Sequence, residues 1–324
     1  MSRLEADQWS LYWKKGAITT FQDAFHANYD GEVKNFWVQQ FSEVRQRARI
    51  VDLACGNGAL ALLGSEYSRL HNKDFQIDAI DFADIQPPKD ESHKVLLKAI
   101  RFHPGCRIEK SGLPQASYDL AVSQFGVEYG APELTARELN RILKKSGARI
   151  VLLTHHVDSA IMQQARDAVK NIAICKTSNA LSLVAELQQT LERVRCSGAD
   201  PAADENCENL RSQLNATIDG LHAEAEKCED PRHFEFFIRA CMAPFGRTAM
   251  RTHTLEKRLA ILDMAQEESD AFEARMEDLM SAAMDESGIQ FLIDVLHTYG
   301  FALKRSEPFV FKNQKFAHAL AMER

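Results

Sequence analysis

The densest chemical signal in the chain is Gly56-Asn57-Gly58-Ala59-Leu60-Ala61, with Asp52 four positions ahead of the first glycine. Glycine adopts backbone conformations closed to other residues and lets the main chain approach a ligand closely. A glycine pair between a buried strand and a helix makes a sharp turn with the helix N-terminus behind it, a setting suited to a polar ligand. The spacing satisfies the G-x-G-x-x-A form of a dinucleotide loop. Asp52, however, lies inside the strand, where a nicotinamide-binding strand is usually wholly apolar.

A turn of this kind must be held by a strand before it and a helix after it. Residues 49–54 read as a buried strand, followed by a helix to about Leu70. Phe75 to Ile80 is a second strand closing at Asp81, then come a helix over 90–102, a short strand from Cys106 to Glu109, a strand over 118–123, a helix over 132–145 and a strand over 149–154. Strand and helix alternating at this spacing predict a doubly wound, mostly parallel α/β sheet with helices on both faces. From about Asp158 to Glu286 the apolar stripes have helical period and no strands intervene, which predicts a large helical insertion after strand 5. Breaks at Pro201 and Pro231 make it an antiparallel bundle. A helix through His297 and two strands, Gly300–Lys304 and Lys315–Leu320, separated by Pro308 and Lys312-Asn313-Gln314, then close a seven-stranded sheet with an antiparallel pair. The domain boundaries expected are thus 1–48 for an aromatic-rich helical segment with a helix over about 31–47, 49–157 plus 287–324 for the sheet, and 158–286 for the insertion.

The chain has 324 residues and a net charge of -7, so a wrapping interaction with nucleic acid is not expected. The insertion holds 24 acids against 14 bases and accounts for the acidity. No apolar run is long enough for a membrane span, and the first residues lack the apolar core of a signal peptide. Seven scattered cysteines with no C-x-x-C pair read as reduced thiols of a cytoplasmic protein, with neither a disulfide frame nor a metal site.

Val51-Asp52-Leu53-Ala54-Cys55-Gly56-Asn57-Gly58 resembles motif I, D-x-[GA]-x-G-x-G, of class I S-adenosylmethionine-dependent methyltransferases. The resemblance covers about 49–154 and 287–322 and leaves out the insertion. It implies a Rossmann-like methyltransferase fold and S-adenosyl-L-methionine as cofactor. It also implies roles for single residues: Asp52, Ala54, Gly56, Asn57 and Gly58 at the cofactor loop, and Asp81 with Phe82 at the ribose. Glu109 is implied near the adenine amine, and Gln124 and Phe125 at the end of strand 4, facing the transferred methyl. The segment 138–147 resembles the helix and glycine turn leading into strand 5. Methyl transfer is an in-line displacement, for which the protein supplies alignment, desolvation and, for an oxygen nucleophile, a base.

On the acceptor side, His155 and His156 follow strand 5, and one of two adjacent strand residues must face the cleft; they and Glu128 are the candidate catalytic groups. Tyr12, Trp13, Tyr29 and Tyr129 are candidate aromatic contacts, and Phe245 and Arg247, at a break in the insertion, are candidate acceptor contacts. Cys55 needs only to be small. The expected activity is methyl transfer to an O or N atom of a small-molecule acceptor, with the insertion as cap or homodimer contact. The alternatives are a macromolecular acceptor, protein before RNA, with the insertion as docking arm, and a cofactor-binding fold kept as an interaction module.

Overall fold

A computed structural model describes residues 3–20, 25, 27–89 and 93–324. The chain divides into two compact units, residues 1–163 with 278–324, and 164–277.

The first unit carries one seven-stranded sheet in the order β3-β2-β1-β4-β5-β7-β6. Its strands are β1 (Arg49–Leu53), β2 (Gln76–Asp81), β3 (Ile100–Pro104), β4 (Leu120–Gln124), β5 (Arg149–Thr154), β6 (Ala302–Phe311) and β7 (Gln314–Glu323). The first five are parallel to one another. β7 runs antiparallel between β5 and β6. The central strands are apolar and buried, as a sheet covered on both faces requires. On one face, α5 (Pro132–Ile142) and α12 (Glu286–Thr298) bury Leu139, Ile142, Leu292 and Leu296 in a core with Val51, Leu152 and Phe301. Of the remaining helices of this unit, α1 is Arg3–Trp13, α2 is Gly31–Ser42, α3 is Ala59–Leu70 and α4 is Lys94–Leu97. Helix α2 buries Phe36, Trp37 and Phe41, so these aromatics serve packing.

One buried acid inside the sheet is fully paired. The Asp78 carboxylate of β2 accepts hydrogen bonds from Tyr118 Oη at 2.7 Å and an Arg49 guanidinium nitrogen at 3.2 Å, and lies 2.8 Å from His103 Nε2. Burial pushes this carboxyl up, but these bonds outweigh it and hold Asp78 below the usual carboxylate range.

Four expectations are corrected. The third strand is Ile100–Pro104, where Ile100 and Phe102 alternate with Arg101 and His103; Glu109 lies in a 3-10 turn, Ile108–Lys110. Pro104 and Gly105 end the strand early, and the helix expected over 90–102 is only Lys94–Leu97, with 90–92 outside the described residues. The helix expected to about residue 47 stops at Ser42, freeing Arg45 to pair with Asp119 at 2.7 Å. The last hairpin is longer than expected: Pro308 is inside β6, an edge strand where its missing N–H leaves no central ladder bond unmade, and the turn is Lys312-Asn313, both at positive φ.

The second unit is helical. It takes in most of α6 (Ala160–Thr177), then α7 (Ala180–Cys196), α8 (Glu205–Ala225), α9 (Arg232–Met242), α10 (Arg247–Thr252) and most of α11 (Leu255–Ala282). Its core joins Val184 and Leu187 of α7, Leu214 and Leu221 of α8, and Phe234 and Phe237 of α9. Asp204 caps α8, its carboxylate accepting from Cys207 N at 2.8 Å. Among the described residues no helix is long and apolar enough to cross a membrane.

Candidate active site at the carboxyl ends of the strands

Beyond β1 the chain turns through Ala54 and Gly56, both at positive φ, to Gly58 at φ +92°, the residue that opens α3. Gly58 N donates to Cys55 O at 2.9 Å, closing the turn. A side chain is barred at both glycines, for different reasons. A Cβ at Gly58 would stand 2.6 Å from the Phe102 ring of β3, whereas one at Gly56 would stand 2.4 Å from the indole of Trp13. Gly56 belongs to the wall of a cavity at this edge of the sheet; Gly58 does not.

Asp81, ending β2, lies on that wall and is tied to the loop. Its Oδ2 accepts from Gly56 N at 2.7 Å and its Oδ1 from Ala83 N at 2.8 Å. Burial pushes its carboxyl up to about 6. Each oxygen keeps a second lone pair for a ligand hydroxyl. Beside it Arg107 stacks over the Phe82 ring at 4.2 Å, and Glu109 Oε1 accepts from Ala131 N at 3.4 Å. All of these residues line the cavity, as does Ala54.

Asp52 is set deeper. It is 1% exposed, off the cavity wall, and its Oδ2 accepts from Ala61 N at 3.0 Å in the first turn of α3. Burial, with a smaller push from nearby Asp81, raises its carboxyl to about 8. Asn57 is also turned away from the cavity. Its amide nitrogen donates to Trp13 O at 3.0 Å and Ala17 O at 2.6 Å, and its oxygen accepts from Gln86 N at 2.6 Å. Asn57 therefore clamps the segment after α1 to the loop.

β4 delivers Gln124 and Phe125 to the wall, Phe125 at φ +60°. Gln124 Oε1 accepts from Trp37 Nε1 at 2.5 Å, while its buried Nε2 has no partner among the described residues. Of the histidine pair after β5, His155 faces the cavity, its ring stacked on Phe125 at 4.2 Å and 11°. Burial pulls it down to about 3, so the ring is neutral, and its Nδ1 has no partner. His156 points the other way, as alternation in an extended chain dictates. Its Nδ1 accepts from Asp158 N at 3.1 Å, and its Nε2 lies 3.1 Å from Glu286 Oε1 and 3.3 Å from Lys315 Nζ. His156, Asp158 and Glu286 offer ligand-type atoms within 4.8 Å of one another. With Lys315 Nζ at the same ring nitrogen as Glu286 and Asp158 N on the other, these groups form a hydrogen-bonded cluster that includes its own cation.

Glu128 is not at the mouth, where the sequence suggested it. It is buried off the wall, its Oε1 accepting from His155 N at 2.7 Å, and burial pushes it up to about 7. Tyr129, Tyr29 and Trp13 do line the cavity. Tyr12 does not: its hydroxyl donates to Thr19 O at 2.8 Å and its ring meets Trp13 edge-on. Phe245 and Arg247 belong to the second unit, while every residue of this wall belongs to the first.

Sequence reasoning missed Trp9, Arg107 and Leu279 on the wall. Trp9 carried a signal, lying four residues before Trp13 on one helix face; its Nε1 donates to Asp278 Oδ2 at 2.7 Å. Arg107 and Leu279 carried none, being brought in by tertiary structure.

No protein-family model and no curated protein sequence matches the chain. Solved structures do resemble it. YcgJ from Bacillus subtilis is 19% identical, over 42% of this chain and 58% of that one, with a TM-score of 0.31. A protein named for an S-adenosyl-L-methionine-dependent methyltransferase, from Methanococcus maripaludis, is 13% identical over 90% and 83%, with a TM-score of 0.38. A SAM-dependent methyltransferase from Aquifex aeolicus is 16% identical over 45% and 73%, with a TM-score of 0.33. The chain spans less than two thirds of the length of several others, for instance 60% of one and 54% of another. At these identities and scores the neighbours say nothing about activity or acceptor. The strand order and directions do identify the architecture: with five parallel strands and an antiparallel seventh strand lying between the fifth and the sixth, the chain has the Rossmann-like fold of class I methyltransferases.

Proposed function

We propose that the cavity binds S-adenosyl-L-methionine and directs its methyl group to an O or N atom of a small-molecule acceptor. The observation that carries the reading is Asp81, a buried carboxylate at the end of β2, locked to Gly56 N of the loop and lining the cavity. The residues present suit the cofactor. Asp81 accepts the ribose hydroxyls, Phe82 with Arg107 and Ile108 flanks the base, and Glu109 receives the adenine amine. Gly56 gives its N–H to Asp81 and leaves room for the Trp13 indole, which completes this part of the wall. Asp52 lies behind Ala61 and shapes the loop without touching the wall.

When bound, the cofactor supplies a sulfonium methyl as electrophile. The chain's own residues hold the reactants and exclude water, with Phe125, His155 and Tyr29 walling the acceptor end. His155, neutral and weakly basic, orients the acceptor by a hydrogen bond and does not take its proton outright. The aromatic lining of the cavity, with Trp9, Trp13, Tyr29, Phe125 and Tyr129, supports a small acceptor over a macromolecular one. The helical unit is assigned to acceptor selection, with self-association as its other role.

The test is calorimetry with S-adenosylhomocysteine and with NAD, followed by a screen of a metabolite pool for incorporation of labelled methyl with no protein or nucleic acid added. Heat with NAD and none with S-adenosylhomocysteine would refute the reading.

A further inference from the structure

The cavity wall is divided by charge. Among the described residues its charged groups are Asp81, Arg107 and Glu109, all on the β2/β3 side. The β4/β5 side presents Tyr29, Gln124, Phe125 and His155. Behind them the aromatic packing is continuous: Tyr29 meets Phe25 at 5.2 Å, Phe25 meets Phe311 at 5.3 Å, and Phe311 meets Phe316 at 5.2 Å. Phe316 in turn meets Phe125 at 5.3 Å. Glu128, whose Oε1 accepts from His155 N, and Asp52, whose Oδ2 accepts from Ala61 N, are both off the wall. Buried polar atoms without a partner among the described residues include Gln124 Nε2 and His155 Nδ1 at this end, with Tyr129 Oη on the wall just past β4 and Glu128 Oε2 and Thr154 Oγ1 behind it.

We propose that the β4/β5 end is a subsite for an uncharged planar aromatic acceptor, held against Tyr29 and the Phe125–His155 stack with its polar edge toward Gln124 and His155. The proposal rests on the methyltransferase reading and names its substrate class. Among the described residues no cation stands on this part of the wall, so a carboxylate or phosphate on the acceptor would be buried without a counter-charge. An alkylammonium would meet aromatic faces but no carboxylate among the described residues of this part of the wall, and it must lose a proton before its nitrogen can attack. A neutral heteroaromatic nitrogen attacks through its lone pair and needs no base, whereas a phenolic oxygen must pass its proton to water as its bond to the methyl carbon forms. Either can also pair with the buried Gln124 Nε2 or His155 Nδ1 at its polar edge.

A matched set separates the charges: 2-naphthol, 2-naphthoate, 2-naphthyl phosphate and 2-naphthylmethylammonium, titrated by ligand-observed NMR into the full chain saturated with S-adenosylhomocysteine at neutral pH. The naphthol is expected to bind at least about tenfold more tightly than any charged analogue. Tyr29→Ala is expected to weaken it about tenfold, while affinity for S-adenosylhomocysteine stays within about twofold. Gln124→Leu repeats the test at the polar edge, and Tyr29→Phe, which keeps the ring, serves if Tyr29→Ala does not fold. Equal or tighter binding of a charged analogue, or binding of none of the four, overturns the proposal. If S-adenosylhomocysteine itself does not bind, the methyltransferase reading falls; if it binds and the naphthol does not, only the subsite falls.

Discussion

Trp13 packs on Gly56 so closely that a Cβ at that glycine would stand 2.4 Å from the indole Cζ2. The first helix of the chain and the loop after β1 thus build one wall together. Gly56→Ala must move the indole and also hold a non-glycine residue at φ +53°. We expect S-adenosylhomocysteine affinity to fall at least about tenfold and the tryptophan emission to shift as Trp13 is displaced. Emission and affinity matching the wild type would show that this contact does not shape the site.

Asp81→Ala should weaken S-adenosylhomocysteine binding by roughly 1.5–3 kcal/mol, the range for hydrogen bonds to a charged group. A pH dependence accompanies it. Burial raises the Asp81 carboxyl to about 6, so it is ionised above that value and protonated below it. Affinity should be flat above about pH 7 and decline as the pH falls through 6, because a protonated carboxyl gives up acceptor capacity. Calorimetry across that range checks it. In Asp81→Asn the decline should vanish.

Much of the sheet was legible in the sequence because its central strands are short apolar runs closed by Asp81, by the glycine loop and by Gln124-Phe125. The third strand was misplaced because an edge strand is only half buried and Arg101 and His103 interrupt its apolar pattern. At the site, Asp81, Phe82, Gln124 and Phe125 lie on the wall as their positions at strand ends suggested. Gly58 and Asn57 look like ligand contacts in the sequence, yet they answer to Phe102 and to the segment after Trp13. A motif fixes where the backbone turns, whereas neighbours distant in sequence decide which side of the turn meets the cavity. Glu128 and His156 are off the wall for the same reason.

Glu128 bears on stability more than on the wall. Burial raises its carboxyl from 4.5 to about 7, so folding takes up a proton between those values. The stability this gives is complete below 4.5 and is lost as the pH rises through 7. Glu128→Gln keeps an oxygen for His155 N–H and carries no charge. Its melting temperature should exceed that of the wild type by a few degrees above pH 7 and converge with it near pH 5. A variant that melts below the wild type at every pH would contradict this account.

Asn57 is fully buried, and its amide satisfies Trp13 O, Ala17 O and Gln86 N. Asn57→Ala leaves three backbone groups without that partner and should destabilise the fold by about 2–4 kcal/mol. Urea denaturation followed by circular dichroism measures the loss. Tryptophan emission should change at lower urea than the circular dichroism, since the clamp on the Trp13 segment is released first. Coincident transitions of unchanged midpoint would remove Asn57 from this role.

The helical unit leaves the sheet just after His155-His156 and the chain returns at Met284, where Met284 N donates to His155 O at 3.0 Å and Val157 N to Met284 O at 3.1 Å. The two crossings are therefore tied together within the first unit, and a short linker can join them without straining β5 or α12. The described residues of the cavity wall, Leu279 among them, belong to the first unit. Replacing residues 164–277 by a short Gly/Ser linker should therefore leave S-adenosylhomocysteine affinity within about threefold, provided the four-residue stub of α6 and the last turn of α11 stay packed. Acceptor turnover should be lost if the helical unit selects the acceptor, and retained if it serves only self-association, in which case sedimentation of the shortened protein will report the smaller species. A folded, shortened protein that no longer binds S-adenosylhomocysteine would mean that the second unit completes the cofactor site itself, and the division of labour between the two units would be wrong.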